Sequence, residues 1–62
     1  MLDKWSYLFN KLYDHYANQC ADEFISEEEM ERHIDEIEQE DLPDLWNRCQ
    51  ELEIPVSRGA EP

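Results

Sequence analysis

Glycine is almost missing from this chain: of its 62 residues only Gly59 is glycine. That excludes P-loops, other phosphate-cradling loops and dinucleotide fingerprints, which need glycine where the backbone meets the ligand. The spaced Asp/Asn pattern with a central glycine that binds calcium is missing too. Positive charge is scarce. Five Lys and Arg face 17 Asp and Glu, a net charge of −12. Contacts with nucleic-acid phosphates or an anionic membrane need a Lys/Arg surface, so direct binding to either is excluded. No apolar run is long enough to span a bilayer, and the first residues lack a basic stretch followed by an apolar core. A cytoplasmic location is expected. Cysteine is limited to Cys20 and Cys49, which read as reduced, small hydrophobic residues in that setting. A Cys20–Cys49 disulfide requires that their two helix faces meet. His15, Cys20, His33 and Cys49 never form the close pairs used by structural zinc sites. No metal and no cofactor is expected.

What remains is apolar and acidic. Hydrophobic residues make up 40%, with two Trp, three Tyr and two Phe, too rich for a segment that stays disordered. The expectation is one helical domain over residues 1–56 with a disordered tail over 57–62. Chains of this size bury only about 60% of their unfolded surface. Pairing into a dimer is one remedy, and the breadth of the first apolar stripe points to it.

The periodicity predicts an all-α three-helix bundle with helices at about 3–21, 26–39 and 43–53 and an extended C-terminal segment. In the first, Leu2, Trp5, Leu8, Phe9, Leu12, Tyr16 and Cys20 recur at three- and four-residue steps, with Asp3 as N-cap. The second carries most of the charge and the clearest start. Ser26 and Glu29 have capping-box spacing, Ile25 and Met30 fit a hydrophobic staple, and Glu27, Glu28 and Glu29 face the positive end of the helix dipole. Met30, Ile34 and Ile37 form a narrow seam, with His33 beside them one turn from Glu29. Arg32 can pair with Glu28. Leu42-Pro43 starts the third helix, whose apolar face is Leu42, Leu45, Trp46, Cys49 and Leu52. There Asp44 and Arg48 have ion-pair spacing, and Pro55 ends the helix. Ile54 and Val56 are expected to dock on the core.

Carboxylate pairs are everywhere, so none stands out as a catalytic dyad, and three short helices leave little room for a pocket that perturbs pKa values. No catalytic residue is assigned. Two surfaces suit binding. The acidic face is Glu27, Glu28, Glu31, Asp35, Glu36 and Glu38, fit for a basic protein partner. The apolar face is Trp5, Leu8, Phe9, Leu12, Tyr13 and Tyr16, fit for a partner or for self-association.

Phe24-Ile25-Ser26-Glu27-Glu28, then the helix from Leu42-Pro43-Asp44-Leu45-Trp46 to Leu52, then Glu53-Ile54-Pro55-Val56, resembles region 1.1 of bacterial primary sigma factors. That family shows an L-T-x-E-E-I helix start and a helix ending in L-x-x-x-G-I-x-V. The resemblance covers roughly half the chain and rests on amphipathic-helix motifs. Glu53 stands where the family has glycine. The resemblance implies a domain that fills the DNA channel of RNA polymerase by imitating the charge of DNA. From the residues themselves, the expectation is a non-enzymatic acidic accessory or regulatory protein acting through protein–protein binding. Its composition suits a regulator carried by a phage or mobile element.

Overall fold

A computed structural model describes residues 3–62; Leu2 of the predicted apolar stripe lies outside them. The order is α1 (Lys4–Ala21), α2 (Glu27–Glu38), α3 (Leu42–Glu51) and a 3-10 turn (Arg58–Ala60). There is no strand among the described residues. The Cα radius of gyration is 11.4 Å, close to the roughly 11 Å of a compact chain this long.

Local chemistry sets the helix starts. Asp3 Oδ1 accepts the Ser6 backbone N–H at 2.6 Å, which satisfies one of the free donors of the first turn. Ser26 Oγ accepts the Glu29 N–H at 3.2 Å. The reciprocal bond of the capping box, from the Ser26 N–H to the Glu29 carboxylate, does not form. α3 starts after Asp41 with Pro43 in its first turn and no side-chain cap.

Two of the helix ends share a device that composition hides. After α1, Glu23 adopts φ 64, and the N–H groups of Phe24 and Glu23 donate to the carbonyls of Gln19 and Cys20. After α3, Glu53 adopts φ 57, and Ile54 and Glu53 donate to Cys49 and Gln50. These are Schellman closures, which normally place glycine at the left-handed residue. The third helix therefore stops at Glu51 rather than near residue 53, because the backbone reverses hand there. Ile54-Pro55-Val56 follows without regular structure, and Ile54 and Val56 pack on the core.

The core is a ridge of Leu8, Leu12 and Tyr16 on α1, joined by Ile37 of α2, Leu45 and Cys49 of α3, and Ala60. α1 packs against α2, against α3 and against the 3-10 turn. The aromatic helix is thus the organising element, although the second helix has the clearest sequence signature. The polar ties converge on the α2–α3 corner. The Trp5 indole N–H donates to the Glu40 carbonyl at 2.8 Å.

The last six residues, expected to be a disordered tail, dock by a few contacts. Ala60 is buried, Tyr7 Oη accepts the Ser57 N–H at 3.0 Å, and Lys4 Nζ donates to the Glu61 carbonyl at 3.1 Å. Polar composition gives no sign of this, since the contacts need only one methyl group and two backbone atoms. Ordering a backbone residue costs about 1–2 kcal/mol. An exposed hydrogen bond returns about 0.5–1.5 kcal/mol, so this segment is weakly held.

Glu53→Gly relieves the left-handed side-chain clash at a cost in unfolded-chain entropy. A net gain of about 0.5–1 kcal/mol is expected, measured by urea unfolding; a loss would contradict the assignment. Asp3 gives a pH test. Its carboxyl is held below the usual aspartate range, first by the Ser6 backbone N–H. With the folded pKa depressed, the cap's contribution is present above the unfolded value and lost as pH falls through the folded one. The difference in melting temperature between wild type and Asp3→Asn is therefore expected to change between pH about 5 and about 2, and to stay flat above pH about 5.

Candidate partner-binding surface

α2 has 3.6 residues per turn, which places its carboxylates on different faces of the helix. Glu27, Glu28, Glu31, Asp35 and Glu38 are all exposed. They fall on an arc of about 100° along roughly 17 Å of helix. None of them forms an ion pair among the described residues. Arg32, the one cation on α2, makes none either, so the expected Glu28–Arg32 pair is not formed. Ile34 lies at the margin of this stripe and is only half-buried.

Glu36, assigned to the same face from sequence, behaves differently. It turns toward α3, where Arg48 Nη2 lies 3.4 Å from Glu36 Oε2. Arg48 mainly holds Glu40, through Nε to Oε1 at 2.5 Å and Nη2 to Oε2 at 2.7 Å. The predicted Asp44–Arg48 pair is replaced by this two-toothed contact across the α2–α3 corner. The planar guanidinium matches the Glu40 carboxylate edge to edge, which the short Asp44 side chain four residues away on the same helix does less well. The Glu40 hydrogen bond pushes the Arg48 pKa further upward, against the opposing effect of burial, and the Tyr16 hydroxyl adds to it.

The predicted apolar face divides as well. Leu8 and Leu12 are 0% exposed and Tyr16 is 6% exposed, so these three form the interior. Trp5 and Phe9 are half-buried and stack with centroids 5.1 Å apart. Tyr13, at 43% exposure, continues that ladder 6.3 Å beyond Phe9. What remains at the surface is the flank Trp5–Phe9–Tyr13. Sequence reasoning did not single out Phe24, which is 76% exposed. It follows the left-handed Glu23 and precedes the acidic stripe by three residues. The clue is that its partner position in the Schellman closure is Gln19, which offers no apolar contact.

His33 lies flat on Tyr16 with centroids 4.5 Å apart and an interplanar angle of 5°. Its Nδ1 is buried without a hydrogen-bond partner, and it does not bond Glu29. Cys20 and Cys49 are free thiols. Burial raises the Cys49 pKa, which keeps it protonated and unreactive. No group of three or more His, Cys, Asp and Glu is placed to hold a metal ion among the described residues. No helix there is long and apolar enough to cross a membrane. An open hollow of about 310 Å³ lies between Lys11, His15 and Asn18 of α1 and Leu52 to Pro55.

Comparison of the chain with protein-family models, curated proteins and solved structures found no match.

Arg48→Met leaves Glu40 and Glu36 without a counter-ion at the corner. A loss of about 1.5–3 kcal/mol is expected from removing a charged hydrogen-bond partner, seen as a lower urea midpoint. Asp44→Asn is expected to leave stability nearly unchanged, and a large effect there would restore the intrahelical pair.

Proposed function

We propose that this chain is a non-enzymatic, protein-binding regulator that engages a basic surface of another protein through the outer face of α2. The reading rests on the contrast between two sets of carboxylates on one helix. Glu36, with Glu40 just beyond the helix end, shares the Arg48 guanidinium. Glu27, Glu28, Glu31, Asp35 and Glu38 stand in solvent with no ion-pair partner among the described residues. Like charges at three- and four-residue spacing on a helix repel one another. A basic partner removes that repulsion and gains attraction, so binding and relief of self-repulsion act together. Phe24 and Ile34 supply apolar contacts at the edge of the same stripe.

A narrower version is a nucleic-acid mimic of the kind that the resemblance to sigma-factor region 1.1 implies. Its particular support is Glu53, which holds φ 57 at the position where that family has glycine. The partner would then be a basic DNA-binding cleft. Self-association through Trp5, Phe9 and Tyr13 is a separate proposal with the opposite salt dependence, since two copies of charge −12 repel at low ionic strength.

Capture of partners from an extract of the source cell tests the main proposal. Wild type is expected to retain a basic protein at low salt and release it as ionic strength approaches about 0.5 M. Glu31→Gln/Asp35→Gln, with an unchanged helical circular-dichroism spectrum, is expected to capture little of it. Retention that survives both salt and neutralisation would assign binding to the apolar flank instead. Displacement of the captured protein by duplex DNA separates the mimic from a general acidic ligand.

A further inference from the structure

We propose that residues 57–62 form a detachable strap across the N-terminal end of α1, which opens as a unit while the three helices stay folded. The strap is self-contained. Ala60 and Glu61 donate to the Ser57 and Arg58 carbonyls at 3.0 Å, and Ser57 Oγ accepts the Gly59 N–H at 3.2 Å. All three bonds survive if the segment lifts away. Among the described residues, two hydrogen bonds and one buried side chain tie it to the body of the protein. The hydrogen bonds are the exposed ones to Tyr7 and Lys4. The side chain is that of Ala60, one methyl group seated at the edge of the core.

No helix end depends on the strap, because α3 is already closed by the Ile54 N–H on the Cys49 carbonyl. An open hollow of about 210 Å³ beside the strap is lined by Asp3 at the N-cap, by Lys4 and Tyr7 of α1 and by Ser57, Gly59 and Ala60. Leu8, Leu12 and Leu45, by contrast, are wholly enclosed. Local openings in proteins range from nearly free to the full cost of unfolding, and this architecture puts the strap at the easy end. Opening vacates the Ala60 seat and frees the Lys4 ammonium and the Tyr7 hydroxyl beside it. The closed form hides that apolar spot at the end of the molecule where Lys4 and Arg58 lie.

Amide hydrogen exchange and limited trypsin digestion of the full chain test this. The Ala60 and Glu61 amides are expected to exchange more than tenfold faster than those of Leu12 and Cys49, which await global unfolding. Trypsin is expected to cut first after Arg58. Ala60→Glu is expected to raise that cleavage rate about tenfold, the equivalent of about 1.4 kcal/mol, with the helical signal retained. Tyr7→Phe is expected to act in the same direction with a smaller effect. Exchange of the strap amides at the rate of the core, unchanged cleavage in both variants, or loss of the helices with Ala60→Glu would each overturn the proposal.

Discussion

The ridge of Leu8, Leu12 and Tyr16 is the constraint on which this fold depends. These residues repeat every four positions, so they lie one above another on α1. The ridge is too broad for one short helix to cover. α2 closes it with Ile37, α3 with Leu45 and Cys49, and the C-terminal turn with Ala60. Each covering element therefore owes its place to α1. In a chain this small, removing one of those side chains takes away a large share of the interior.

Hydrophobic burial is non-directional and does not by itself set the angle at which α3 leaves α2. Glu40 supplies the direction. Its backbone carbonyl receives the Trp5 indole N–H, and its carboxylate receives the Arg48 guanidinium. One residue between two helices is thus tied to the first helix through its main chain and to the third through its side chain. Hydrogen bonds of fixed geometry select one arrangement from those an apolar ridge permits. The pair is only partly exposed, at 27% for Arg48 and 24% for Glu40, so water weakens it less than a fully solvated bridge.

Much of this was legible in the residues. The apolar spacing of α1, the caps at Asp3 and Ser26 and the proline at Pro43 are local signals, and they placed all three helices to within two residues. What the sequence left out is mostly non-local. Arg48 had an acceptable partner four residues away in Asp44 but found a better one eight residues back, across a turn whose angle no local rule supplies. Glu36 looked like one more member of the acidic face until the position of α3 brought Arg48 beside it. Leu8, Leu12 and Tyr16 could be assigned equally to an interior or to an interface, because periodicity identifies a face without naming what covers it. The docking of Ala60 had no signal at all, since a lone alanine in a polar segment carries no pattern.

The capture of Glu36 and Glu40 by Arg48 bears on how the molecule moves before it meets anything. Of the five basic residues, Arg48 is consumed at the corner, Arg32 stands alone on α2 against seven carboxylates, and Lys4, Lys11 and Arg58 belong to the N-terminal half of α1 and the segment docked on it. The uncompensated anions of α2 lie on a different element. The protein is therefore an electric dipole as well as an anion. In the field of a cationic surface it experiences a torque as well as a pull, and rotates to lead with α2 during approach. In the proposed complex, fewer encounters would be wasted on the wrong orientation, so recognition would begin while a film of water still separates the two proteins.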